Sequence, residues 1–154
     1  MMTAPNLSGA RGVVVAAGIQ LVIGLIVQRP WWVPDLLLVS LVVIYGTAGR
    51  TMDWTPALVG GALAMCLGGR APLLVGFSYV GAAGLAVLAS VRWDVSEREA
   101  QAVELALLET GLLALWMLME HMLTFRTAFW SAGKILLTVA CLPWMRRVMR
   151  PSHG

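Results

Sequence analysis

The sequence predicts an all-α integral membrane protein with about six transmembrane helices. Of its 154 residues, 59% are hydrophobic and 12% are charged, and the mean hydropathy is +0.81. Soluble domains carry roughly a quarter charged residues, so a water-soluble core could not absorb this excess of apolar side chains. The charged residues also fall in short clusters between apolar runs. The bilayer is therefore the expected solvent, and the clusters are the expected loops.

Six apolar runs have lengths that suit single spans, because a crossing needs roughly 20 apolar residues and fewer where the bilayer thins. The predicted spans are residues 11–27, 34–48, 55–69, 72–91, 100–124 and 128–145, in one transmembrane domain covering residues 1–154. The first run ends in Val27, Gln28 and Arg29 rather than in small residues, so it is predicted to be a retained helix and not a cleaved signal peptide.

The second and third spans are the shortest, and each has a proline where a helix would begin. Pro34 is followed by Asp35, and Thr55 is followed by Pro56. Proline suits the first helical turn because its missing N–H has no partner to lose there. Asp35 is expected to cap exposed N–H groups and to interact favourably with the helix dipole. Tryptophans also mark the predicted ends of the spans, as amphipathic rings do at membrane interfaces: Trp31, Trp32, Trp54, Trp93, Trp130 and Trp144.

The basic residues predict the orientation of the chain. An even number of spans puts both termini on one side, and that side would hold Arg11, Arg50, Arg92, Arg98, Arg146, Arg147 and Arg150. The opposite side would hold Arg29, Arg70, Arg126 and Lys134. Because Lys and Arg concentrate in short cytoplasmic loops, this imbalance predicts a multi-pass membrane protein with both termini in the cytoplasm. Topology thus explains the net charge of +3, which implies no nucleic-acid partner.

Small residues recur at helical spacing in the third and fourth spans, and they predict close helix packing. The residues are Ala57, Gly60, Gly61, Ala64, Gly68, Gly76 and Gly84. In lipid, the hydrophobic effect does not drive helices together, so small residues that let backbones approach supply packing energy. Two interpretations are open at this stage: packing within the bundle, and packing against the transmembrane helix of a partner.

The fifth span carries acidic residues inside a long apolar run. Glu109 and Glu120 are separated by about three helical turns and share a face with His121 nearby, whereas Glu104 lies off that face. Burying a carboxylate at membrane depth costs free energy unless the group is paired with a cation or hydrated, so this face is a candidate functional surface. Structural pairing, contact with a partner or a lipid headgroup, and a proton or ion path are the alternatives. Glu104 and Glu120 are also near enough to the ends of the span to reach water.

Lys134 lies about one turn inside the sixth span. It is expected to pair with a carboxylate such as Glu120 or to extend its amine to the lipid headgroups. Glu109 has few partners within the chain on this view. It is expected to meet a group from a bound helix or lipid, or to stay protonated and hydrogen-bonded within the bundle.

No arrangement of residues predicts catalysis, a metal site or a cofactor. There is no Ser with a nearby His, no metal-spaced His or Cys, and no glycine-rich phosphate loop with a following Lys. Cys66 and Cys141 lie inside predicted spans and are expected to be buried free thiols. The chain is therefore not predicted to be an enzyme.

Two stretches carry a resemblance to a known family. The first is Arg29-Pro30-Trp31-Trp32-Val33-Pro34-Asp35-Leu36-Leu37-Leu38 after the first helix. The second runs from Gly60-Gly61-Ala62-Leu63 through Gly68 and Pro72-Leu73 to Gly76-Phe77-Ser78-Tyr79, and a basic C-terminal end follows. In these features the chain resembles MreD, the small membrane subunit of the bacterial rod-shape (elongation) machinery.

The resemblance implies a non-enzymatic scaffold with a helical fold similar to the substrate-binding subunits of energy-coupling-factor vitamin transporters. It also implies binding to the single-span protein MreC, and through it to the glycosyltransferase RodA, a class B penicillin-binding protein and the actin-like MreB. Pro34, Asp35, Glu109, Glu120, His121 and Lys134 are the candidates for contact with these partners or with membrane lipids. The family usually has an aspartate after the Gly-Leu of its third helix, where this chain reads Ala64-Met65-Cys66-Leu67. A role that depends on that acid does not transfer.

A different class of function is also compatible with six short spans. A small-molecule transport subunit would bind a vitamin or an ion between its helices, and a separate ATPase would drive release. Such pockets normally have discontinuous helices or polar groups that converge near the midplane. The sequence, with short loops and few polar residues, predicts neither.

Overall fold

The computed structural model describes residues 7–27, 32–47, 53–67, 71–93, 97–121 and 124–149. Within these ranges the chain forms six α-helices and no strands. They are α1 (Leu7–Val27), α2 (Leu36–Thr47), α3 (Thr55–Leu67), α4 (Pro72–Arg92), α5 (Arg98–Met119) and α6 (Phe125–Val148). The prediction of an all-helical chain is confirmed for this part of the molecule.

Four helices are long and apolar enough to cross a membrane: Gly9–Val27 within α1, α4, α5 and α6. Their outer faces carry large apolar side chains, and Ile26, Leu107 and Leu136 are about 70% exposed (75%, 69% and 71%). Water would not tolerate so much contiguous apolar surface on a monomer, whereas lipid tails would cover it. This surface is what the composition predicts for a membrane protein.

The helices α2 and α3 have only 12 and 13 residues. At 1.5 Å per residue they extend about 18 and 20 Å, less than the roughly 30 Å hydrocarbon core of a bilayer. The predicted span of residues 34–48 began two residues too early, and the predicted ends at residues 48 and 69 lie outside the described residues. Four helices have spanning length in the described chain, and α2 and α3 are short apolar helices among them.

The short helix α2 is the centre of the bundle. Ten consecutive residues from Leu36 to Tyr45 are buried, and α2 packs against each of the other five helices. A helix that is apolar on all sides needs neighbours on all sides. Leu38, Val39 and Val42 are fully buried and join α2 to residues of α1, α5 and α6 in one apolar cluster.

The structure corrects the predicted start of α2. Helical residues begin at Leu36, and Asp35 is the capping residue because its Oδ1 accepts the Leu38 backbone N–H at 3.0 Å. Pro34 precedes the helix instead of occupying its first turn. The predicted capping role of Asp35 is confirmed. The predicted start of α3 at Thr55, with Pro56 in the first turn, is also confirmed.

The ends of α5 and α6 also differ from the prediction. The helix α5 stops at Met119, since His121 has a left-handed backbone with φ of 52° that cannot continue a helix. The helix α6 begins at Phe125 because Thr124 and Thr127 form a reciprocal capping box. The predicted end of α5 at residue 124 and the predicted start of α6 at residue 128 were therefore both too far along the chain.

Two predicted packing glycines face each other where α3 crosses α4. A Cβ atom on Gly61 would lie 3.1 Å from the Gly76 carbonyl oxygen and 2.6 Å from Val80 Cγ2, and a Cβ on Gly76 would lie 3.0 Å from the Gly61 carbonyl oxygen. Ala57 and Ala64 are buried on the same helix. The backbones of α3 and α4 approach so closely that only glycine fits at the crossing.

The other predicted packing positions have different surroundings. A Cβ on Gly60 would meet the Leu41 side chain of α2 at 3.3 Å, whereas one on Gly84 would make an ordinary 3.5 Å contact with the Trp54 ring. Gly68 lies outside the described residues. These small residues serve contacts inside the bundle, which is the first of the two interpretations of the pattern.

Candidate functional site: a buried polar cluster

The start of α2 lies inside the bundle rather than at its end. The Asp35 backbone N–H donates to Thr138 Oγ1 at 3.0 Å, and Thr138 is near the middle of α6. The next turn of α2 is tied to α1, because Gln20 Oε1 accepts the Leu37 N–H at 3.0 Å. The N-terminus of α2 is therefore level with the middle of its long neighbours.

A short non-helical segment brings the chain to that depth. Trp32 packs edge-on against Trp130 in the first turns of α6, with ring centroids 5.5 Å apart, while Asp35 reaches Thr138 about two turns further along. Non-helical backbone at membrane depth has to be covered by protein, since lipid cannot satisfy its polar groups. Asp35 meets this requirement because it is 4% exposed, and Pro34 before it has no N–H to satisfy.

Asp35 joins α2 to α4 and α6 through three hydrogen bonds. Its Oδ2 accepts the Tyr79 hydroxyl of α4, its Oδ1 accepts the Leu38 N–H, and its own N–H donates to Thr138. The sequence predicted the cap but not the other two bonds. The bonds to Tyr79 and Thr138 depend on how deep in the bundle α2 starts, and no local sequence pattern indicates that depth.

Glu109, in the middle of α5, completes the same site. Its side chain is 1% exposed, and its carboxyl group lies within hydrogen-bonding range of the Asp35 carboxyl group. The Lys134 ammonium of α6 is close enough to interact electrostatically with Glu109. Glu109 Oε2 is buried and has no hydrogen-bond partner among the described residues. We refer to Asp35, Tyr79, Glu109, Lys134 and Thr138 as the polar cluster.

The structure brings some predicted site residues together and separates others. Asp35, Glu109 and Lys134 belong to the polar cluster, and Pro34 adjoins it. Glu120 caps the C-terminal end of α5, and His121 is exposed just beyond it. These two residues lie about 16 Å along the helix axis from Glu109. Lys134 interacts electrostatically with Glu109 in the cluster, and its predicted pairing with Glu120 stays a prediction.

A second polar pair on α5 was not anticipated. Gln101 is fully buried, and neither its amide oxygen nor its amide nitrogen has a hydrogen-bond partner among the described residues. Both carboxyl oxygens of Glu104, about one turn further on, are also buried and unpartnered there. The prediction that Glu104 simply reaches water is therefore wrong. Gln101 went unnoticed because an uncharged amide near a span end gave no signal in the sequence.

The cluster's chemistry is that of proton binding and hydrogen bonding. It contains two carboxyl groups, two hydroxyl groups and one amine, contributed by four helices. No group of three His, Cys, Asp or Glu residues could hold a metal ion within the described ranges. Cys141 is half-buried and Cys66 is exposed on α3, so the prediction of two buried thiols is wrong for Cys66.

Comparisons with known proteins identify no relative of this chain. No protein-family model matches the chain, and no curated protein or solved structure matches it at a significant level.

Proposed function

We propose that this chain is a non-enzymatic membrane scaffold of the MreD type in the bacterial cell-elongation complex. It would cross the cytoplasmic membrane with six helices, both termini in the cytoplasm, in a fold similar to the substrate-binding subunits of energy-coupling-factor transporters. Its direct partner would be a single-span MreC-like protein. Through that protein it would support a RodA-type glycosyltransferase and a class B penicillin-binding protein, with MreB linked indirectly.

One observation carries the proposal: the two stretches that resemble MreD meet in the folded chain. Tyr79, from the second stretch, donates its hydroxyl to the carboxylate of Asp35, from the first. Within the second stretch, Gly61 and Gly76 form the crossing of α3 and α4. Residues that are far apart in sequence thus cooperate in one structural unit, as expected if the resemblance reflects a shared fold and not chance hydrophobicity.

The distribution of polar and small residues is consistent with a scaffold. The described glycines at the α3–α4 crossing and the acids of the polar cluster are used inside the bundle. The outward surface is mostly apolar, with exposed side chains such as Leu25, Phe77 and Leu118. A partner's transmembrane helix could pack on such a surface in the plane of the membrane, where association depends on van der Waals fit and interhelical hydrogen bonds.

Affinity purification from bacterial membranes in mild detergent tests this function. Mass spectrometry of the co-purified proteins should identify a single-span MreC-like protein together with a glycosyltransferase or a penicillin-binding protein. A variant with Gly76→Leu, which blocks the α3–α4 crossing, should recover less of these partners. The matched control is Gly81→Leu, because nothing lies within 4 Å of a Cβ at Gly81. Full-length protein that purifies without any of these partners would refute the proposal.

A transport subunit is the second candidate, and the polar cluster favours it. Many transporters bind substrates at the midplane, beside interrupted helices and converging polar groups. The sequence offered no such sign, but α2 starts at mid-depth and the polar cluster surrounds its first residue. Co-purification of ATPases would support this function. So would a rise in melting temperature with riboflavin, biotin or thiamine that is lost in the Glu109→Leu variant.

A further inference from the structure

The charges around the start of α2 come from three helices. Asp35 precedes α2, Glu109 lies in α5, and Lys134 in α6 interacts electrostatically with Glu109. Tyr79 of α4 and Thr138 of α6 supply hydroxyl groups. These are two acids, one amine and two hydroxyls.

The two remaining neighbours of α2 add no charge at this site. The contribution of α1 is the neutral Gln20 amide, which accepts the Leu37 N–H. The α3 segment Thr55–Leu67 contains no Asp, Glu, Lys or Arg. The charge of the site is therefore set by Asp35, Glu109 and Lys134.

Counting protons on these three groups gives one electrically neutral state. With Lys134 charged and no proton on the acids, the site has one net negative charge. With both acids protonated, it has one net positive charge. A single proton on the acid pair makes the site neutral. Both acids are buried, with Asp35 4% and Glu109 1% exposed, and Lys134 beside them is half-buried, so the neutral state is favoured.

The geometry agrees with one proton. The Glu109 and Asp35 carboxyl groups lie within hydrogen-bonding range of each other. Ionised carboxylates only accept hydrogen bonds, so this contact requires a proton on one of them. Two ionised carboxylates in contact would also repel each other.

The hydrogen-bond partners indicate which acid carries the proton. Both Asp35 oxygens accept from donors, namely the Leu38 N–H and the Tyr79 hydroxyl, as a carboxylate requires. Glu109 Oε2 is buried without a donor. An orphaned oxygen is far less costly on a neutral carboxylic acid than on a carboxylate.

We propose that Asp35 and Glu109 form a proton-binding site at the start of α2. Glu109 holds the proton and donates it in a hydrogen bond to Asp35, while Lys134 balances the charge of the Asp35 carboxylate. The site ties α2 to α4, α5 and α6, so losing the proton would place two carboxylates side by side and loosen these contacts. This inference holds whether the protein is a scaffold or a transport subunit.

Infrared spectroscopy of the purified full-length protein in lipid nanodiscs tests the site. At neutral pH the wild type should show the C=O stretching band of a protonated carboxyl group, and that band should shift in D2O. The Glu109-dependent component of that band should be lost in Glu109→Gln, in which the amide replaces the neutral acid, and also in Asp35→Asn, in which Lys134 balances an ionised Glu109. Glu104→Gln is the control, since it removes a buried acid outside the site and should leave the Glu109-dependent component in place.

Lys134→Met tests the charge balance itself. Without the amine, neutrality requires a proton on both acids, so the protonated-carboxyl band should gain intensity relative to the wild type. Raising the pH should then destabilise Lys134→Met more than it destabilises Glu109→Gln. In Lys134→Met both Asp35 and Glu109 hold protons that a high pH removes, whereas Glu109→Gln has no such proton.

Three results would overturn the proposal. The first is a wild-type spectrum with no protonated-carboxyl band that depends on Glu109 or Asp35. The second is a band of unchanged intensity in folded Lys134→Met. The third is an ionised acid pair together with sodium-dependent thermal stability, which would identify a sodium site in place of a proton site.

Discussion

Asp35 has one role that the sequence predicted and one that it did not. The order Pro34-Asp35-Leu36 predicts a capped helix start, and the hydrogen bond from the Leu38 N–H confirms it. The cost of burying Glu109 was also evident from the sequence, since a mid-span acid needs a partner. The sequence did not show that Asp35 is this partner, because the contact between Asp35 and Glu109 depends on the depth at which α2 begins. Depth is a property of packing, and sequence periodicity does not encode it.

Removing the Tyr79 hydroxyl should destabilise the bundle. Tyr79→Phe keeps the ring but leaves the buried Asp35 Oδ2 without this donor, a loss of about 1–3 kcal/mol of unfolding free energy. Ser78→Ala is the matched control on α4, because the Ser78 hydroxyl donates only to the Val75 carbonyl of its own helix. Thermal unfolding in detergent compares the two. Equal effects would mean that the Tyr79–Asp35 bond contributes nothing to stability.

Glu109 should tolerate an isosteric amide but not an apolar side chain. Glu109→Gln keeps a donor facing Asp35, so its melting temperature should be close to that of the wild type. Glu109→Leu removes the donor and should cost about 1–3 kcal/mol. The same denaturation assay ranks the variants, and equal destabilisation by both substitutions would indicate that Glu109 acts through its charge.

At the scale of elements, the six helices were predicted in the right order and their ends were predicted less well. Apolar runs and proline positions located α3 and α4 to within a few residues. The boundaries of α5 and α6 depend on the left-handed His121 and on the Thr124–Thr127 capping box, which are local details inside an apolar stretch. The helix α2 is short because the non-helical segment from Trp32 to Asp35 precedes it inside the bundle. The apolar pattern of the sequence alone does not distinguish such a segment from the first turn of a helix.

The crossing of α3 and α4 makes a sharp prediction about glycine. Gly76→Leu has no room, because even a Cβ there would collide with Met65 Cγ and lie 3.0 Å from the Gly61 carbonyl oxygen. We expect a loss of at least about 1–3 kcal/mol, measured as reduced abundance in the membrane and a lower melting temperature. Gly81→Leu on the same helix meets open space and should be harmless. Comparable behaviour of the two variants would show that α3 and α4 do not cross at Gly76.

At the scale of the whole molecule, composition was the most informative property of the sequence. It predicted a helical membrane protein, and the described chain has four helices of spanning length with apolar outer faces. The convergence of Asp35, Tyr79, Glu109, Lys134 and Thr138 could not be predicted, because these residues come from four segments that only the tertiary fold brings together. The arrangement of six spans and the orientation of the termini remain predictions.

Cytoplasmic termini follow from the arginine imbalance and can be measured directly. A reporter that is active only in the periplasm, fused after Gly154, should give no signal, whereas a cytoplasmic reporter at the same position should be active. Strong periplasmic activity would mean an odd number of spans or a reversed orientation.

Disulfide mapping of the start of α2 decides whether this helix begins at mid-depth, on which the polar cluster depends. In a background of Cys66→Ser and Cys141→Ser, Asp35→Cys would be paired with Thr138→Cys or with Ser131→Cys and oxidised in native membranes. The Asp35 N–H contacts the Thr138 side chain, so these two backbones are within the short range that a disulfide requires, while Ser131 lies about two turns nearer the start of α6. We expect efficient cross-linking to residue 138 and little to residue 131. Preferential cross-linking to residue 131 would place the start of α2 near the membrane surface and contradict the buried site.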